Sequence, residues 1–167
     1  DPLETRFSGG FDLRGEGLEP ATMTLQGRLR ACQGAYGRVR LDTLGAGFSM
    51  AAGVLSVDSL VMRSNVATAT AGGQIVLFDT TGARSAAFRL DADIASLEPL
   101  RPLVQADILS LRKGELHATV QGPPDGLRLE ATSVVNGLVY NGLRLAGLEA
   151  HITGELGPDR RLTRAEL

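Results

Sequence analysis

A chain of 167 residues with a formal net charge of -2 has room for one domain with a continuous apolar interior and too little for two. Its 43% hydrophobic and 22% charged residues are those of an ordinary globular chain, and the near-balance of charge excludes a strongly basic nucleic-acid binder. The single cysteine, Cys32, excludes an internal disulfide and a thiolate metal cluster, and no apolar run approaches the ~20 residues that a membrane-spanning helix needs.

The opening Asp1-Pro2-Leu3 is neither a start methionine nor a signal peptide, and a strand pattern begins almost at once, so residues 1–167 are expected to form one β-rich module of a longer protein. Phe7, Gly9, Phe11 and Leu13 alternate with polar residues, as do Met23, Leu25, Gly27, Leu29 and Ala31, which predicts two half-buried strands. Cys32 sits on the parity opposite to Leu29 and Ala31 and reads as a small filler. Arg28, Arg30, Arg38 and Arg40 occupy the polar parity. They predict an arginine ladder on the outside of two neighbouring strands, a solvated edge-protecting face or a contact for anionic headgroups. Gly15-Glu-Gly17 and Gly45-Ala-Gly47 lack the third glycine and the following helix of a phosphate-binding loop, and read as turn residues.

Alternation returns at Val39 and Leu41, then at Phe48 and Met50. Between Gly53 and Asp79 the apolar parity slips, with Leu55 and Val57 odd but Leu60 and Met62 even. A β-bulge at Asp58-Ser59 would produce this while bending the strand; a strand break is the alternative. Ile75 and Leu77, then Ala86, Phe88, Leu90, Ala92 and Ile94, continue the pattern, and Asp91 and Asp93 share a polar face without enough ligands for a metal. One short helix is expected in Ala95 to Val104, capped by Ser96, stopped by Pro102 and plugging an open end of the sheet. Leu116, Ala118 and Val120, then Leu127, Leu129 and Ala131, complete the strands. Turns are predicted at Asp79–Gly82, Pro123–Gly126, Asn141-Gly142 and Gly157–Asp159, with Asn141-Gly142 preferred over Asn136-Gly137 as a hairpin turn.

Strand follows strand without a helical crossover, which predicts antiparallel pairing in a meander. His117 and His151 lie at polar positions with no motif around them. With no catalytic, cofactor-binding or metal site in view, a non-enzymatic role is expected. Two Tyr and five Phe do not supply the aromatic girdles of a membrane barrel, so the apolar face must be covered by a second sheet or folded around an apolar groove.

The run from Gly15 to Asp79, followed by LDADIASLEPLRPLV, resembles the AsmA-like superfamily and especially its TamB branch. The residues that carry the likeness are the strand Leu55 to Ser64, the small-residue strand Val66 to Gly73, and the turn Asp93 to Leu103. The resemblance implies an all-β fold, a curved, mostly antiparallel sheet forming an open half-pipe (β-taco) with an apolar interior. It implies a periplasmic segment of an inner-membrane-anchored protein that moves phospholipid between membranes or assists assembly of outer-membrane proteins, with an outer-membrane barrel as partner of the parent chain. No catalytic, cofactor or metal residue comes with it.

Candidate lining residues for such a groove are Leu25, Leu29, Val39, Leu41, Leu55, Val57, Leu60, Met62, Ile75, Leu77, Phe88, Leu90, Leu116, Val120, Leu127 and Leu129. Phospholipid or unfolded β-strands are the expected cargo, and pairing of the segment with a second copy is a further expectation. The competing reading is a structural or adhesive β-sandwich, its apolar face self-covered, that binds a protein partner through its sheet edges.

Overall fold

The structure is a computed structural model that describes residues 5–17, 19, 22–77, 84–104, 109–123, 126–156 and 162–166. Its strands are β1 (Thr5–Glu16), β2 (Thr24–Tyr36), β3 (Val39–Ala51), β4 (Val54–Ser64), β5 (Ala67–Val76), β6 (Ser85–Ile94), β7 (Leu109–Ser110), β8 (Lys113–Gly122), β9 (Leu127–Tyr140), β10 (Leu143–Leu156) and β11 (Leu162–Glu166). All belong to one antiparallel sheet whose order follows the chain, except that β7 pairs with β9 off the main path and β6 passes directly to β8. The sheet is open, since among the described residues β1 pairs only with β2 and β11 only with β10.

Two-residue turns make this meander. Tyr36 pairs with Val39 across Gly37-Arg38, Ala51 with Val54 across Ala52-Gly53, and Tyr140 with Leu143 across Asn141-Gly142. Asn141 and Gly142 have φ of 44° and 89°, and Ala52 and Gly53 of 49° and 77°, the paired positive values that match the twist of the flanking strands. Asn136-Gly137 does not turn. It lies inside β9 with Gly137 at φ 64°, where that strand's partner changes from β8 to β7. At Pro123 the backbone N–H of Gly126 donates to the Pro123 carbonyl at 3.0 Å, while the turns expected at Asp79–Gly82 and Gly157–Asp159 lie outside the described residues.

Bulges give the sheet its curvature. Phe48 faces Val57 while the next residue back, Gly47, faces Ser59, so Asp58 is the extra residue that the parity slip predicted. A second bulge lies at Asp42, because Leu41 faces Ser64 and Thr43 faces Arg63. It moves Val39 and Leu41 onto the face that carries Leu44, Phe48 and Met50 despite their opposite parity.

Three expectations are corrected here. Gly45 and Gly47 stand in the middle of β3, paired with Arg30 and Arg28, and Gly15 stands inside β1 opposite Leu25, so none of the three is a turn residue; Gly17, just past β1, has a φ of 86°. Pro102 does not stop a helix: a 3-10 turn over Glu98–Leu100 runs into helix α1 (Arg101–Val104), which holds Pro102 in its first turn, where an N–H has no intrahelical partner to lose. The N-cap of the 3-10 turn is Leu97 and not Ser96, which lies one residue earlier and whose hydroxyl accepts from the Glu98 N–H at 3.2 Å.

Candidate functional site: an uncovered apolar face

Partners read across the sheet fall into rows. One runs Phe11, Leu29, Ala46, Leu60, Ala71, Leu90, Ala118, Ala131, Ile152; the next runs Leu13, Gly27, Phe48, Val57, Gly73, Phe88, Val120, Leu129, Gly154. Leu25 and Leu55 flank Met50, Ile75 faces Leu55, Met62 lies between Leu44 and Ala69, Leu116 faces Ala92, and Leu127 faces Leu156. The candidate lining residues within the strands therefore share one face that crosses from β1 to β10, with Val39 and Leu41 brought to it by the Asp42 bulge. Leu77 follows the end of β5, its N–H donating to the Gly53 carbonyl at 2.8 Å.

Small residues stand among large ones in each row, and in two places the contrast is extreme. Gly27 faces Phe48 and Gly73 faces Phe88, and a β-carbon built on Gly27 would lie 2.0 Å from the Phe48 ring. The rings thus lie over bare backbone, a cross-strand pairing that covers a glycine with an aromatic face. Phe11 stacks on Phe48 across β2, with ring centroids 6.0 Å apart and planes at 19°. Sequence reasoning missed Phe11, Leu13, Leu44, Phe48 and Met50 as members of this face. For Leu44 the signal existed, since Val39 and Leu41 are odd while Leu44, Phe48 and Met50 are even, the same slip that marked Asp58.

No second sheet lies over this face among the described residues; at one end Leu111 comes within 3.5 Å of where a β-carbon on Gly114 would stand. The most buried apolar residues, Met50, Ala67, Ala69 and Leu109, are still 7 to 9% exposed, whereas Leu29, Leu13 and Phe11 stand 36%, 51% and 57% exposed. The remaining candidates with described side chains are half-buried. The accessible surface is 11529 Å², against about 7,900 Å² for a compact monomer of this mass, an excess of roughly 3,600 Å². All the described strands lie in one open sheet, so a two-sheet sandwich is not the architecture of the described residues.

The other face is polar. The expected arginine ladder does not form: Arg28 and Arg30 lie opposite Gly47 and Gly45, Arg38 occupies the hairpin turn, and Arg40 faces Ala35 toward the far end of β2 and β3. Seven residues of strand, ~23 Å at about 3.3 Å each, separate Arg40 from the Arg28 partner Gly47. A shallow depression of about 490 Å³ opens on this side against Asp12, Arg14, Gln26, Arg28, Ser49 and Asp58. Among the described residues no group of three or more His, Cys, Asp or Glu is placed to hold a metal.

Pairing also brings together residues that looked isolated. Asp91, His117, Thr132 and His151 occupy one cross-strand row over β6, β8, β9 and β10. The Asp91 carboxylate accepts from Arg89 at 2.8 Å and 3.1 Å and lies 2.6 Å from His117 Nδ1, while Thr132 Oγ1 lies 3.1 Å from His151 Nδ1. Hydrogen bonding from Arg89, then from His117, holds the Asp91 carboxyl below its usual range, as Lys113 does for Glu115. A depressed carboxylate contributes stability at neutral pH that is lost as pH falls through and below the ordinary carboxylate range. Asp91→Asn is therefore expected to cost stability at pH 7 and to lose that deficit below about pH 4. Thermal unfolding of both proteins across this range checks it; an undiminished deficit at pH 3 would exclude the charge pairing as the cause.

No helix among the described residues is long and apolar enough to cross a membrane. No protein-family model matches the chain, and searches of curated proteins and of solved structures give no match.

Proposed function

We propose that this chain is a non-enzymatic segment of a TamB- or AsmA-like protein of the periplasm, its apolar face guiding phospholipid between membranes. The reading is carried by one observation: an apolar strip runs over the paired strands of an open sheet and has no second sheet upon it among the described residues. The side chains of that strip are aliphatic for the most part, with phenylalanines laid flat over glycine, so it lacks shaped pockets that would arrest a ligand. Each acyl chain taken from water gains about 25 cal/mol per Å², several kcal/mol in all, spread over many equivalent positions. Weak binding at many sites suits passage rather than storage. Unfolded strands of outer-membrane proteins are the second cargo this face could take, because they carry alternating apolar side chains and free backbone groups. The resemblance of Leu55 to Ser64 and Asp93 to Leu103 to the TamB branch supports the same assignment.

The test is native mass spectrometry of the protein after incubation with phospholipid and removal of the excess. The parent is expected to carry lipid adducts. The double variant Leu60→Asp, Ile75→Asp is expected to lose them while keeping its far-ultraviolet dichroism, since both side chains are half-buried on this face and Leu60 is flanked by Ala46 and Ala71, which leave room for a carboxylate. A folded double variant with undiminished adducts would remove the apolar face from the lipid path.

A further inference from the structure

We propose that the depression on the polar face is a binding site for a small zwitterion, a phosphate and an ammonium group joined by a short linker as in phosphoethanolamine. Its floor is Gly47 in the middle of β3, with Arg28 of β2 opposite on one side and the bulged Asp58 of β4 on the other. A β-carbon on Gly47 would meet nothing closer than the Ser59 hydroxyl at 3.7 Å, so no neighbour requires a glycine there. Gly27 and Gly73 differ, because a ring or a carbonyl fills the space that their β-carbons would take. A strand glycine that packing does not require marks a place where something else comes close to the backbone. The bulge adds to this by re-aiming a side chain: the Asp58 carboxylate accepts from the Ser49 hydroxyl of β3 at 3.4 Å, beside the same floor.

The charges around the floor select the ligand. Arg14 and Arg28 supply two guanidinium groups, and Asp12 and Asp58 two carboxylates, around a space of about 490 Å³. Among the described residues none of the four forms an ion pair within the chain, although Asp12 stands directly opposite Arg28. A simple anion would meet both carboxylates, and a simple cation both guanidinium groups. A zwitterion meets each with its opposite. Arg28 and Asp58 stand on strands two apart, ~10 Å between backbones at about 4.8 Å per strand, so a ligand lying over Gly47 touches both. The guanidinium fork matches two phosphate oxygens, and the carboxylates accept from the ammonium N–H groups. The site lies on the face opposite the apolar strip and stands whether or not that strip carries lipid.

The experiment is calorimetric titration at low ionic strength, where exposed charges are least screened, with phosphoethanolamine, inorganic phosphate and ethanolamine in turn. Phosphoethanolamine is expected to bind about tenfold or more tighter than either single-charge probe, because each of those loses one set of charge-assisted hydrogen bonds. Arg28→Gln and Asp58→Asn are each expected to weaken its binding by about tenfold or more for the same reason. Gly47→Val is expected to abolish binding with unchanged far-ultraviolet dichroism, since the new side chain has room but fills the floor. Arg28 and Asp58 are exposed, so their variants keep the test decisive even if Gly47→Val does not fold. No binding by the parent, phosphate binding as tight as phosphoethanolamine, or full binding by the Arg28 and Asp58 variants would each overturn the proposal. Vesicles of phosphatidylethanolamine that sediment the parent but not Arg28→Gln would make the source a lipid headgroup, and binding of the soluble compound alone a free zwitterion; both support the site. The double variant Leu60→Asp, Ile75→Asp is expected to bind phosphoethanolamine as the parent does, which separates this site from the apolar face.

Discussion

Gly73→Val is expected to destabilise the sheet by about 3 kcal/mol or more, whereas Gly45→Val is expected to be neutral or mildly stabilising. Intrinsic strand preference favours valine over glycine at both positions, so preference alone predicts the same sign twice. The surroundings differ. A β-carbon on Gly73 would lie 2.2 Å from the Ala87 carbonyl oxygen and 2.7 Å from the Phe88 Cα, backbone atoms of the neighbouring strand that cannot turn aside. On Gly45 it would meet nothing within 4 Å. At Gly73 the backbone of β6 and the Phe88 ring occupy the space a β-carbon would take, so any added carbon pushes the strands apart within the apolar face. Urea unfolding of the two variants against the parent measures both changes. Equal effects at the two glycines would mean that the close approach at Gly73 is not part of the folded sheet.

Deletion of Asp58 is expected to leave the apolar face intact and to cost much less than the loss of two buried aliphatic side chains, about 2 to 4 kcal/mol, that deleting a regular strand residue would bring. At this position two residues of β4 oppose one of β3, and the bulge absorbs the extra residue, so that Leu55 and Val57 share a face with Leu60 and Met62. Without Asp58 the strand alternates without a break: Val57, Ser59 and Leu60 then stand one to one against Phe48, Gly47 and Ala46 on one side and Gly73, Gly72 and Ala71 on the other. What the deletion removes is the local bend and twist that a bulge imposes. Asp58→Ala keeps the bulge and loses only the 3.4 Å hydrogen bond from Ser49. Denaturation midpoints of the two variants measure both changes. A deletion that costs the full ~2 to 4 kcal/mol would show that Asp58 holds a regular position in β4 and that Leu55 and Val57 turn to the polar face without it.

The bulge at Asp58 was legible because it interrupts a long alternation, and an interruption of period two has few physical causes. The bulge at Asp42 was not, because the residues on either side, Val39 with Leu41 and Phe48 with Met50, form runs short enough to read as separate strands. Glycine was the least legible residue type. Gly53 and Gly142 serve turns at positive φ, while Gly27 and Gly73 sit in extended strands beneath phenylalanine rings, and nothing local distinguishes the two uses. The arginines misled for a related reason. Shared parity placed them on one face, but the distance along that face depends on where the hairpin turns, and Gly37-Arg38 set Arg38 and Arg40 at the opposite end from Arg28.

Alternation, turn dipeptides and the lack of helical crossovers by themselves determined that this chain is an antiparallel meander with one apolar face, and many of the residues that lie on it. Those features are local, written in side-chain period and in the backbone freedom of one or two residues. Only the tertiary structure decided that the described strands form one open sheet with no second sheet upon it, and that both histidines join one polar row with Asp91. These depend on which residues meet across strands far apart in the chain, and on whether a second layer covers the first, and a period of two is the same in a sandwich, a barrel and an open sheet.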